Sequence, residues 1–220
     1  MKVLKEYALV IVMTIALIAV VHVLVGRMYV VPSGSMEPTL HGCPGCQGDR
    51  IVAEKISYYF SEPQPGDVVV FDAPESWHNE PATWSVVKAL GSIGLGPGGD
   101  HIMVKRVIAV AGQTVSCQPG DPAIMVDGKA TNQEFILQPA AQPVAVASGS
   151  ENCGGAYFGP IVVPEDRLWV MGDNRTMSAD SRFHMGIENG TVPTQNVAGK
   201  VTAKIWPLQR IEFGLTEKID

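Results

Sequence analysis

The residues of this chain best suited to chemistry are a serine in a tight segment, a lysine in an apolar run, and a late polar cluster. Ser35 lies in Pro32-Ser33-Gly34-Ser35-Met36-Glu37-Pro38-Thr39-Leu40. Its hydroxyl could attack a carbonyl if a neighbour removed its proton. The common base is a histidine oriented by an aspartate. Of the five histidines, His22 falls in an apolar span, and His41, His78, His101 and His184 occupy turn- or loop-like surroundings. Lysine is the alternative base, provided burial lowers its pKa from about 10.4 towards 7–8, a destabilisation of the cation by roughly 3–5 kcal/mol. Lys105 is placed for that, since Ile102-Met103-Val104 precede the Lys105-Arg106 pair and Val107-Ile108 follow it. Taken singly, Ser35 reads as turn material and Lys105 as a snorkelling or ion-paired lysine. Together with the cluster from Met171 to Arg182, they form three sparse polar islands in a β-rich chain, the trace expected of a buried hydrolytic site.

The elements that must position these islands are mostly strands. Gly48-Asp49-Arg50 leading into IVAEKISYYF, and Pro65-Gly66-Asp67 leading into VVVF, read as turn-then-strand units. Residues 102–110 restore a strand, Asp127-Gly128 suits a hairpin turn, and Leu168 to Met171 runs directly into Gly172-Asp173-Asn174-Arg175. The segment VAGKVTAKIWPL supplies a last strand, with frayed residues after it. Between Asp72 and Asp100 the pattern dissolves into an excursion loop with one short helix. A second loop, from Gln138 to Gly155, is rich in Gln, Pro, Ala, Ser and Gly.

The amino terminus is different in kind. Residues 7–25 carry no full charge, and nineteen residues at helical rise cover roughly 28 Å, close to the hydrocarbon thickness of a bilayer. The run exceeds the core of a cleavable leader and ends without a small-x-small site, which favours an uncleaved anchor. Lys2 and Lys5 on its short side put the amino terminus in the cytoplasm and the rest outside. The expected organisation is a cytoplasmic tail 1–6, a transmembrane anchor 7–25, and an extracytoplasmic domain 26–220 with a surface insertion at about 72–100.

The chain is 46% hydrophobic with a mean hydropathy of +0.14, high for a protein wholly in water. A net charge of -6 and no basic block argue against nucleic acid as a partner. An outer compartment permits disulfides, and Cys43 with Cys46 and Cys117 with Cys153 is the pairing considered, although sequence does not determine connectivity. Zinc binding by Cys43-Pro44-Gly45-Cys46 competes with it, but Cys117 and Cys153 form no second C-x-x-C and no histidine cluster is evident.

The ordered blocks PSGSMEPTL, GDRI, QPGDVVVF, VKRVIAVAGQTV, VDGK, VPEDRLWVMGDNRTMSADSR and GKVTAKIWP resemble those of bacterial type I signal peptidases. The resemblance covers the anchor and nearly all of the outer domain. It implies a mainly β, twisted antiparallel-sheet domain of the signal-peptidase and repressor-peptidase kind behind one transmembrane helix. It also implies a serine endopeptidase of the plasma membrane that cleaves signal peptides after an Ala-x-Ala site. By the same resemblance Ser35 matches the nucleophile and Lys105 the general base. Ser33 and the Ser35 N–H match the oxyanion hole, and Ser178 the serine that bonds and positions the lysine. Asp180 and Arg182 match a salt-bridged pair, with Asp173 and Arg175 completing a supporting framework. No cofactor and no metal is implied. The implied partners are preprotein signal peptides, the lipid bilayer and, as a candidate, the secretion translocon. The long 72–100 insertion and the CPGC after the nucleophile segment resemble actinobacterial members. Two rivals are a self-cleaving repressor-type Ser/Lys peptidase, which would carry a DNA-binding domain in place of an anchor, and a catalytically silent anchored β-domain that binds peptides or secretion machinery.

Overall fold

Short runs rich in valine and isoleucine, punctuated by glycine and proline, give a chain built almost wholly of strands. The computed structural model describes residues 5–14, 26–77, 101–145 and 148–219. Its strands in chain order are β1 (Arg27–Val30), β2 (Arg50–Glu54), β3 (Val68–Asp72), β4 (Ile102–Val110) and β5 (Thr114–Cys117). Then come β6 (Met125–Val126), β7 (Lys129–Ala130), β8 (Gly149–Ser150), β9 (Gly155–Ala156) and β10 (Phe158–Val162). The series ends with β11 (Arg167–Met171), β12 (Val192–Pro193), β13 (Val197–Trp206) and β14 (Glu212–Phe213).

One antiparallel sheet dominates, with strand order β1-β2-β13-β3-β4-β11-β12 and β14 added beside β13. A four-stranded sheet, β10-β5-β6-β7, and the small β8-β9 ribbon complete the domain. The strand β3 shows why its sequence does not alternate. Val68, Val69, Val70 and Phe71 are all fully buried. Val68 and Val70 pack with Met36, Leu40 and Ile51, whereas Val69 and Phe71 pack with Trp77, Val107 and Val170, so both faces of the sheet are covered. A further core joins the two larger sheets, with Trp169 stacked on Phe158 at 5.3 Å between ring centroids.

Several expectations need correction. The strand predicted through Phe60 stops at Glu54, because the Glu54 carboxylate accepts the Ser57 N–H at 2.9 Å and starts a 3-10 turn over Ile56–Tyr59. The carboxyl-terminal residues are not frayed. Leu215 and Ile219 are buried, Asn132 N–H donates to Ile219 O at 3.0 Å, and Arg106 donates to Leu215 O at 3.0 Å. The Asp127-Gly128 turn does join β6 to β7, with both residues at positive φ (50° and 76°).

Residues 5–14 are helical, and the apolar side chains of Tyr7, Leu9, Val10, Ile11, Val12 and Met13 are exposed. Positions 15–25 of the predicted anchor, His22 among them, lie outside the described residues. Among the described residues no helix is long and apolar enough to cross a membrane. Positions 78–100 of the predicted insertion, with its short helix and His78, also lie outside them.

Candidate active site

Two fixed points hold the segment that carries Ser35. Upstream, Val31 N–H donates to Asp49 O at 2.9 Å. Downstream, Met36 and Leu40 sink into the core, the latter with no exposure. Between them Ser33 is extended and Gly34–Met36 form one 3-10 turn, closed by Glu37 N–H on Gly34 O at 3.2 Å. Two glycines make room for this path. A methyl group at Gly42 would lie 2.7 Å from both Ser33 N and Ser33 O, and one at Gly172 would lie 2.3 Å from Ser35 O. The turn is also tied to the late polar cluster, since Asn174 N–H donates to Ser35 O at 3.1 Å and Asn174 Nδ2 to Gly34 O at 3.0 Å.

Lys105 comes from the middle of β4, flanked by β3 and β11. Its Nζ lies 2.9 Å from Ser35 Oγ and donates to Val104 O at 3.0 Å. The side chain is 4% exposed. Burial strips the ammonium of solvent and lowers its pKa to about 8, despite the opposing pull of the Asp180 and Asp173 carboxylates; the Arg182 charge pushes it the same way as burial. The Ser33 hydroxyl donates to Ser35 Oγ at 3.3 Å. Among the described residues no histidine bonds Ser35. His41 pairs with Glu37 at 2.6 Å, and His184 stacks on Trp77.

The four supporting residues surround the Ser35 and Lys105 pair. The two carboxylate oxygens of Asp173 accept from Arg106 Nε at 2.9 Å and Nη2 at 2.7 Å, and Thr39 Oγ1 donates to it at 2.6 Å. Arg175 donates to Gly172 O at 3.1 Å and to Gln133 Oε1 at 2.6 Å. Asp180 does meet Arg182, at 2.8 Å, and also accepts Gly172 N–H at 3.0 Å. Burial pushes the Asp180 pKa up, but the Arg182 charge and hydrogen bond, with Gly172 N–H, more than offset it, leaving the carboxyl below its usual range. None of these four framework residues is at the surface.

The bond expected from Ser178 to Lys105 is not made. Ser178 Oγ is buried without a hydrogen-bond partner among the described residues, pressed against Gly172, where a methyl group would lie 2.3 Å from it. Sequence reasoning missed Arg106 and Asn174. Arg106 has one visible signal, a fixed charge in an apolar strand beside Lys105, which requires a buried carboxylate somewhere. Asn174 has none beyond its place in the polar cluster. Cys43 is bonded to Cys46 and Cys117 to Cys153.

A polar turn, a buried amine of lowered pKa in contact with its hydroxyl, and a second hydroxyl beside them form an arrangement able to perform nucleophilic acyl transfer. Residues 4–206 match the family described as signal peptidase, peptidase S26. A probable signal peptidase I from Mycobacterium leprae is 44% identical over 93% of this chain and 77% of its own length. Signal peptidase I from Mycobacterium tuberculosis is 45% identical over 94% of this chain and 74% of its own. A probable signal peptidase I from a Synechocystis species is 34% identical over 88% and 81%. A solved signal peptidase I from Enterococcus faecalis aligns with a TM-score of 0.42 at 23% identity over 64% of this chain and 98% of its own, a likeness too loose to add to these. With a family match along nearly its whole length and relatives of such identity and coverage, the chain belongs to the signal peptidase family, peptidase S26, and is a peptidase.

Proposed function

We propose that this protein is a membrane-anchored serine endopeptidase that removes signal peptides from exported preproteins, cutting after a small-x-small site such as Ala-x-Ala. Its nucleophile is Ser35 and its general base is the neutral amine of Lys105. The observation that carries this reading is the 2.9 Å approach of Lys105 Nζ to Ser35 Oγ by a lysine whose pKa is lowered to about 8. The neutral amine takes the serine proton as Oγ attacks the scissile carbonyl. The Ser33 hydroxyl turns from Ser35 towards the developing oxyanion, which the Ser35 N–H also meets, each donor contributing roughly 2.7–4 kcal/mol to lowering the barrier. The lysine ammonium then protonates the leaving amine, and a water activated by the same amine releases the acyl group. Asp180–Arg182 and Asp173–Arg106 hold the walls of the site, and Ser178 lines it.

The anchor is residues 7–25, with the amino terminus in the cytoplasm and the catalytic domain on the outer face of the plasma membrane. The exposed apolar side chains along the described residues 7–14 support this, as do exposed Met28 and Val30 on the strand that follows. The bilayer is then a constant partner, and the secretion translocon the source of substrates. The test is cleavage of a preprotein with an Ala-x-Ala site by the full chain in detergent. Ser35→Ala and Lys105→Met should each lower kcat/KM by about 10³-fold or more. Processing retained by Lys105→Met would reject the base, and no processing by the unmutated chain would reject the activity.

A further inference from the structure

The loop that follows the nucleophile segment brings together three groups that the proposed peptidase chemistry does not use. His41, Cys43 and Cys46 place their ligand atoms within 4.8 Å of one another. His41 Nδ1 lies 2.6 Å from Glu37 Oε1, and because a carboxylate only accepts, an Nδ1–H bond to it leaves Nε2 as the ring's ligand atom. Metal-binding histidines carry this carboxylate partner as a rule. The two sulfurs have the C-x-x-C spacing of zinc ligands, and their Cα atoms are 5.5 Å apart.

These sulfurs are joined to each other, so the site exists only when that bond is open. Its surroundings suit opening. Cys46 is exposed and Cys43 half-buried, whereas Cys117 and Cys153 have no exposure at all. Between the two sulfurs, Pro44 and Gly45 are exposed, and a methyl group at Gly45 would meet nothing within 4 Å. Two Zn–S bonds of about 2.3 Å at the tetrahedral angle need sulfurs roughly 3.8 Å apart, a separation that this unpacked turn can supply.

We infer that His41, Cys43 and Cys46 form a redox-gated site for a thiophilic divalent cation, zinc by preference, with water in the fourth position. A dithiol reductant opens the site: its two thiols become a disulfide, and two electrons and two protons pass to Cys43 and Cys46. Binding the cation then releases the two thiol protons, giving two thiolate ligands and one neutral imidazole. In the oxidised chain the sulfurs are unavailable and the loop binds no metal. The loop abuts Ser33 through Gly42 and reaches the Ser35 turn through Glu37. The site therefore lies against the nucleophile segment without contributing to it.

Cobalt(II) is the probe, because its absorption distinguishes tetrahedral sulfur ligation from hydrated ion. The full chain is reduced with a dithiol, freed of reductant under argon and titrated. The expected result is one cobalt per chain with intense visible bands and a sulfur-to-metal charge-transfer band, displaced by one equivalent of zinc. The oxidised chain and Cys43→Ser/Cys46→Ser should show none of this. His41→Ala should weaken binding tenfold or more, and Glu37→Gln by 10–100-fold. A far-UV spectrum unchanged across the variants keeps loss of binding distinct from loss of fold. Equal uptake by the reduced wild type and the double serine variant, an octahedral spectrum, or undiminished affinity in His41→Ala would overturn the inference. None of these readings depends on peptidase activity.

Discussion

Lys105 combines two demands that usually exclude each other, a charged ground state and a buried position. Below about pH 8 its amine carries a proton that its surroundings resist; above that it is free to accept one. Activity should therefore rise tenfold per pH unit up to about 8 and level off beyond, read as kcat/KM on a peptide substrate across the range. An ascending limb near the ordinary value of 10.5 would show that burial does not lower the pKa of Lys105, the proposed base. The same shift affects stability with a defined sign. Because the folded pKa lies below the unfolded one, the unfolded chain binds more protons between them, and stability rises with pH from about 8 to about 10.5. Below that window the buried ammonium costs about 3 kcal/mol. Lys105→Met removes the charge, so by denaturant unfolding it should be the more stable protein at neutral pH by up to that amount. The advantage should shrink as pH rises from about 8 and be gone above about 10.5. This pairs lost activity with gained stability, an outcome that a merely structural lysine would not produce.

Among the elements, the junction after β11 matters most. Gly172 follows the last residue of that strand, and its bare Cα lets the Ser35 turn and Ser178 close in from opposite partners. Backbone is what a side chain would strike there, since a methyl group would sit 2.3 Å from Ser35 O. Gly172→Ala should therefore displace the nucleophile turn, lowering kcat by about 10²-fold, as small misplacements of reacting groups do, and costing about 1–3 kcal/mol of stability as overpacking does. Substrate turnover and a denaturant melt on the same preparation check both. The strand β4 contributes two neighbours with separate tasks. Lys105 reaches Ser35, while fully buried Arg106 clamps Asp173 and draws in Gly66 O and Leu215 O. The apolar run around this pair announced a strand and an unusual lysine. It held no sign that the adjacent arginine would be the partner of Asp173, because that pairing depends on the register of β4 against β11, where Arg106 faces Met171.

At the scale of the molecule, the carboxyl terminus closes the structure. Leu215 enters the core beneath the nucleophile turn and Ile219 the core between the sheets. Ending the chain after Gly214 would expose both cores and leave Arg106 short of one acceptor. Burial of two such side chains is worth roughly 1.5–3 kcal/mol each, so the truncated protein should lose about 3–6 kcal/mol in equilibrium unfolding. A loss below about 1 kcal/mol would show that the tail is an appendage. The sequence by itself determined the β character, the hairpin at Asp127-Gly128 and the three polar islands, and it made Ser35 and Lys105 candidates that the family resemblance then joined. These follow from local patterns: strand runs, turn residues, and a charge that burial penalises. Tertiary structure alone decided that Asp173 takes Arg106, that Ser178 lies against Gly172 without bonding the lysine, and that His41 lies beside Cys43 and Cys46. It also decided that the last residues pack inside. Each of these depends on which strands lie side by side and in what register, and side-chain pairing across 67 residues, as between Arg106 and Asp173, leaves no local trace in the order of residues.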